Sequence, residues 1–317
     1  MLNFNKIVIW GYKIRSLNSY IHTHAWIHQG FYWGFQKLGY DTYWFDDTDN
    51  PDIDFQNTLF ITMGDKENIK MPCRDDCYYV FHNSNAPLFF KKGVSPSKFM
   101  VIQVYTHDCK TRNLTRVFEN DPFQLYNLTG RILYFPWATD IFPDDIKQNI
   151  TKIKSFQTKT VINFVGMIIE PWDKFARAAR KKRIAFTKIG GFDKKKVSRE
   201  DNIRLIQESF FAPALQCKFQ VEKGYIPCRI FKNISYGKFG ITNSSTVNEY
   251  FNNELIYDSN VERLFNTTYN IVVNNQINFD LLEKHMKWIA ENHTYINRCQ
   301  TILDIFEKIQ FHFANNI

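Results

Sequence analysis

The residues of this chain whose types and spacing could do chemistry fall in two groups. The first lies in Gly224–Asn243, which reads Gly-Tyr-Ile-Pro-Cys-Arg-Ile-Phe-Lys-Asn-Ile-Ser-Tyr-Gly-Lys-Phe-Gly-Ile-Thr-Asn. Arg229 and Lys232 stand in the first turns of a helix predicted to begin just after Pro227. Proline is tolerated there because the first helical N–H has no intrahelical partner. Ile230, Phe231 and Ile234 supply an apolar face, and Gly237 is placed to end the helix in a left-handed cap. Backbone N–H groups, the positive end of the helix dipole and two cations would together bind an anion, best a phosphate or diphosphate. The second group is histidine-rich. His22, His24 and His28 follow the first predicted strand, and His82, His107 and Asp108 come directly after later ones. Ligands of open α/β sheets bind outside the carboxyl ends of the strands. These side chains are therefore expected to share a crevice.

The elements that must position these groups alternate. Lys6–Trp10, Thr42–Phe45, Thr58–Met63, Cys77–Phe81, Phe99–Tyr105 and Arg131–Phe135 are short apolar runs, each followed by a polar loop. Such runs predict strands buried on both faces of a mostly parallel sheet. A helix is expected over Ser19–Leu38, stopped by Gly39. The breaker-rich and charged span from Pro136 to Lys154 reads as a connection. Beyond it the alternation restarts, with strands at Thr160–Met167, Ala185–Ile189, Phe210–Leu215 and Phe239–Thr242. Helices are predicted at Trp172–Arg183 and Asp201–Glu208, and the tail is helical over Phe279–Ala290 and about Asn297–Phe313. Arg180–Arg183 is a basic tetrad at a helix end, where cations are favoured by the dipole.

Composition sets the frame. The 317 residues are 44% hydrophobic and 23% charged, which is globular and long enough for two domains. A net charge of +8 favours anionic partners, among which an anionic membrane face is one that charge permits for peripheral contact. No apolar run is long enough to cross a membrane and the N-terminus shows no signal-peptide core, so a soluble cytoplasmic protein is expected. Cys73, Cys77, Cys109, Cys217, Cys228 and Cys299 are scattered without paired spacing. Free thiols are the expectation, and Cys73, Cys77, Cys109 and His82 make a poor zinc set.

Two successive α/β halves with a long C-terminal helix resemble the GT-B glycosyltransferases, specifically those with a "group 1"-type C-terminal donor domain. Tyr134-Phe135-Pro136-Trp137-Ala138-Thr139-Asp140 is similar to that family's interdomain crossing, with Ala138 in place of a usual glycine. Val161–Gly166 is similar to the strand that opens the donor domain, Glu208–Gln216 to the strand before the nucleotide loop, and Arg229–Asn243 to the helix-glycine-strand that binds diphosphate and sugar. The resemblance implies two Rossmann-like domains facing across a cleft. It places an acceptor domain at 1–140, a linker at 141–156, a nucleotide-sugar donor domain at 157–290 and a helical tail at 291–317 packing back toward the N-terminal domain. It implies metal-independent transfer from a nucleoside-diphosphate sugar to a hydroxyl of a glycan or other acceptor, with no cofactor beyond that co-substrate. Gly166, Arg229, Lys232, Asn233, Asn243 and Ser244 would hold the donor; on the acceptor side, with His22, His82 and His107, His24 or Asp108 would take the acceptor's proton if the reaction inverts, and neither is needed if it retains. Retaining members often carry two glutamates eight positions apart in this segment; Gly224 and Lys232 stand there instead.

Alternatives stay open. Asp47-Thr48-Asp49 after a strand could serve a metal-dependent GT-A transferase, and a non-enzymatic or inactive two-domain binding protein fits the same pattern. No aromatic–basic motif points to nucleic acid, and no GxGxxG or GxxxxGK[ST] supports a dinucleotide oxidoreductase or P-loop enzyme.

Overall fold

The computed structural model describes residues 4, 6–16, 22–63, 70–82, 94, 96–105, 115–116, 125–127, 132–166, 170–190 and 197–315, with the backbone alone at 115–116, 125–127 and 309–315. The chain divides into two compact units. The first takes Met1–Arg15, His22–Trp137 and Tyr295–Ile317, and the second is built on Ala138–Thr294.

The first unit is an α/β layer. Its strands are β1 (Lys6–Trp10), β2 (Asp41–Phe45), β3 (Thr58–Thr62), β4 (Tyr78–His82), β5 (Phe99–Gln103), β6 (Thr115–Arg116), β7 (Leu125–Asn127) and β8 (Ile132–Tyr134), with helix α1 (His24–Lys37) after β1. They form one sheet in the order β2-β1-β3-β4-β5-β8-β7-β6. Pairing is parallel from β2 to β8, and the β7 and β6 additions are antiparallel. The architecture of these parallel strands with flanking helices is Rossmann-like. Ile7, Val8, Ile9, Leu59, Phe60 and Ile61 are fully buried, as strands covered on both faces must be. Trp10 lies level with both Phe45 and Thr62, and Thr62 with Phe81. The carboxyl ends of β1 to β4 therefore form one edge. The chain steps from β1 outward to β2 and then back across to β3, so that edge contains a topological switch point, where such folds bind ligands.

The second unit contains α2 (Pro143–Ile150), β9 (Val161–Val165), α3 (Trp172–Lys181), β10 (Ala185–Ile189), α4 (Arg199–Glu208), α5 (Lys218–Glu222), α6 (Cys228–Ser235), β11 (Ile241–Thr242), α7 (Ser245–Tyr250), β12 (Ile256–Tyr257), α8 (Val261–Val273) and α9 (Phe279–Asn292). β9 pairs in parallel with β10, and β11 with β12. The segment between these pairs departs from the predicted strand at Phe210–Leu215. It makes a single parallel bridge, Ala214 to Thr242, and one bond from Phe210 N–H to the Val161 carbonyl. Pro213 has no N–H to give a ladder. Phe211, Leu215, Phe164, Trp172, Phe175, Leu264 and Phe265 close the core over it.

The predicted connection at 141–156 holds a helix. Pro143 opens α2, and Asp144 and Asp145 stand in its first turn, where carboxylates favour the helix dipole. The basic tetrad also finds local employment: Lys181 pairs with Glu262 at 3.1 Å and Lys182 lies over the Tyr269 ring. The chain re-enters the first unit through α10 (Tyr295–Asn315), which packs on α1. Gly30 and Gly34 permit this approach, since a Cβ on either would meet Tyr295 or Cys299 at 2.3 and 2.7 Å.

Candidate functional site

The anion-binding expectation is tested at the start of α6. Pro227 caps the helix with extended backbone and no side chain bonds its first N–H groups. Arg229, one residue into the helix, lays its guanidinium over the Phe164 ring at 4.1 Å and reaches the Val165 carbonyl at 3.4 Å. Among the described residues no carboxylate pairs with it. Burial pulls its pKa down from the usual arginine value, which measures how poorly the charge is compensated there. The guanidinium sits against Gly166, at the end of β9, where φ is +128° and an added Cβ would lie 2.7 Å from Nη2. Gly190, at the end of the paired β10, also has positive φ and packs against the Gly166 backbone. The result is a half-buried cation beside exposed backbone at two parallel strand tips. An anion would supply the missing partner.

Lys232, the second expected cation, has a different role. Its ammonium pairs with Asp140 at 2.8 Å, and the same carboxylate accepts a short hydrogen bond from the Tyr236 hydroxyl. Burial alone would raise the Asp140 carboxyl, but Lys232 and Tyr236 override it and hold the group below the ordinary carboxylate range. The lysine is correspondingly raised: burial disfavours its charge, and Asp140 more than restores it. The Arg199 Nε–H donates to the Asp140 carbonyl. The network ties α4 and α6 to the segment entering the second unit. Its charge is internally matched, which leaves Arg229, of the two expected cations, as the one that meets no carboxylate among the described residues.

The remaining expected donor ligands serve the backbone. The Asn233 amide donates to the Ala212 carbonyl at 2.8 Å. Asn243 accepts from the Gln216 N–H and donates to the Gln216 carbonyl. Ser244 caps α7 by accepting from the Val247 N–H. All three are buried, and each answers a polar backbone group that would otherwise go unpaired. Local sequence shows an amide or hydroxyl in a loop, not which orphan it satisfies. Sequence reasoning also passed over Phe164 and Asp140 as site residues; an aromatic in an apolar strand gives no sign that a cation will stack on it.

In the first unit the structure gathers His22, His24, His28 and His82 at the switch-point edge. His28 bonds the Gly11 carbonyl through Nδ1 and His82 through Nε2, both at 2.7 Å. His24 lies edge-on to His82 with centroids 5.1 Å apart, and His22 stacks on Tyr12 at 4.2 Å. Gly11 and Tyr12 both take positive φ to turn the chain over these rings. Burial lowers His28 to about 4 and drives His82 well below its ordinary value, so both are neutral at neutral pH. His107 and Asp108 lie outside the described residues.

Metal chemistry finds no support at the residues considered for it. Asp47 accepts from the Trp10 indole N–H, and Asp49 pairs with Arg15 at 2.8 Å and Lys13 at 3.5 Å. The Cys77 thiol donates to the Phe55 carbonyl, and burial pushes its pKa up to about 11, which disfavours the thiolate a metal needs. Cys109 lies outside the described residues, and among those described no group of three potential ligands is placed to hold an ion. A cleft of about 580 Å³ is lined by Tyr250, Phe251, Glu254, His285 and Trp288, none of them singled out by the sequence. Glu254 there is already engaged by Lys284 and His285, so its charge is matched within the cleft. No helix among the described residues is long and apolar enough to cross a membrane. Compared with known proteins, the chain matches no family model and no curated sequence.

Proposed function

We propose that this chain is a glycosyltransferase of the GT-B kind, using a nucleoside-diphosphate sugar as donor and a hydroxyl as acceptor. The observation that carries the reading is Arg229: a guanidinium that meets no carboxylate among the described residues, at a helix start, against the glycine tip of a parallel strand. Arginine is suited to phosphate because its planar fork offers paired donors. In the proposed reaction the diphosphate leaves with a growing negative charge, and Arg229 with the N-terminal N–H groups of α6 stabilises it, without a metal. Asp140 and Lys232 position α6 for this, since their buried pair fixes the helix against the entering chain. In the GT-B arrangement that we propose, the first unit supplies the acceptor.

Calorimetric titration with nucleoside diphosphates tests this directly. Wild-type protein is expected to bind at least one of them, and Arg229→Ala to lose roughly 1.5–3 kcal/mol of binding, the worth of a charge-assisted hydrogen bond. That is on the order of 10- to 100-fold in Kd. Arg229→Lys keeps the charge but not the fork and is expected to recover only part of it. If both variants bind as the wild type does, or no diphosphate binds the wild type, the proposed donor site is wrong.

A further inference from the structure

The tautomers of the buried histidine pair follow from their partners. A carbonyl only accepts, so His28 Nδ1, 2.7 Å from the Gly11 oxygen, carries a hydrogen. A neutral imidazole has one N–H, which leaves His28 Nε2 as an acceptor. His82 Nε2, 2.7 Å away, must then be the donor, and its other nitrogen, Nδ1, presents a lone pair. That atom is fully buried and, among the described residues, has no hydrogen-bond partner. Orphaned buried acceptors are rare because desolvation without a partner costs about 1–3 kcal/mol. This one sits at the end of β4 beside the switch point of the sheet, where the fold class binds its ligands.

We propose that the first unit binds a hydroxyl-bearing ligand, a sugar or other polyol, by a hydrogen bond from one of its hydroxyls to His82 Nδ1, with His28 as the positioning residue that fixes which nitrogen is offered. The ligand class follows from the surroundings. Nδ1 can only accept, so the ligand must donate. Among the described residues the rings packed on His82 are those of His24, His28 and Trp137, which offer no carboxylate to a cationic donor. A neutral O–H suits such a site.

Nuclear magnetic resonance of the full chain, with its histidine nitrogens isotopically labelled, tests the site without any turnover. At neutral pH His28 is expected as the Nδ1–H tautomer and His82 as the Nε2–H tautomer. Glycerol and a panel of neutral methyl hexosides are the probes. At least one is expected to shift His82 Nδ1 upfield, and its deoxy analogue at the donating hydroxyl is expected not to. His28→Phe should mix the His82 tautomers and abolish the response while the far-ultraviolet spectrum stays unchanged; should it misfold, the wild-type spectra alone decide. A protonated His82 Nδ1, or a resonance that no probe moves because an ordered water alone occupies it, would overturn the proposal. If His82 responds while no diphosphate binds at Arg229, the polyol site stands and the transferase reading falls.

Discussion

Three cations within ten residues of the Arg229 segment meet three fates, and none is decided by residue type. Arg229 meets no carboxylate among the described residues, Lys232 has one, and Lys238 is buried at 5% exposure with its ammonium on the Ser209 carbonyl at 2.6 Å. Burial lowers Lys238 to about 8. Its ordinary value is near 10.4, so keeping it charged inside costs on the order of 3 kcal/mol. The sign follows from proton counting. Between pH 8 and about 10.4 the unfolded chain holds this proton and the folded chain releases it, so its contribution to stability improves as pH rises through that window. Below the window the full cost is present. Lys238→Met is therefore expected to raise the urea midpoint at neutral pH and to remove part of the alkaline rise shown by the wild type. An equal rise in both proteins would refute this. The sequence made the cations and their spacing legible, but Lys232's partner lies 92 residues away at Asp140, beyond the reach of any local pattern.

At the scale of elements, periodicity was a good guide to β1, which is buried along most of its length, and equally to the largely exposed β10. Lys6–Trp10 and Ala185–Ile189 form as predicted, and the helix after Pro227 runs Cys228–Ser235. It failed where tertiary context outweighed pattern. The apolar Phe210–Leu215 became an irregular buried run, and α8, which the sequence reading did not pick out, exists because Leu264 and Phe265 bury against Phe175. The end of β9 joins the two lessons, since Gly166 was legible as a glycine for backbone approach, but not as the seat of a guanidinium. Gly166→Ala puts an L-residue at φ +128° and a methyl 2.7 Å from the Arg229 Nη2. The arginine tip can swing aside, so the fold is expected to survive with a loss of roughly 1 kcal/mol. Phosphate affinity should fall more sharply, about tenfold, as the guanidinium leaves the Phe164 ring. Unchanged diphosphate titration in this variant would detach Gly166 from the site.

For the whole molecule, the decisive feature is that the two units are unequal in chain continuity. The second is built mainly on Ala138–Thr294, whereas the first needs α10, which returns only after that whole stretch. Within the first unit Tyr295, Ile302, Ile305 and Phe306 are each at most 3% exposed, and Phe306 and Tyr295 meet Tyr78 and Phe31 edge-on. The Arg298 guanidinium, fully buried, donates to the Pro136 carbonyl at 2.7 Å. Each large apolar side chain so buried contributes roughly 1.5–3 kcal/mol. Four of them approach the whole stability of an ordinary domain, about 5–15 kcal/mol. A chain ending at Trp137 keeps α1 but should lose the part of the core that α10 closes, and should therefore fail to show a cooperative transition. Co-expression of 295–317 should restore one. The 138–294 fragment, with its own core around Phe175, is expected to unfold cooperatively by itself and to keep whatever diphosphate affinity the intact protein has. Circular dichroism melts of the three preparations decide it. A cooperative melt for 1–137 alone would show that α10 merely decorates a self-sufficient sheet.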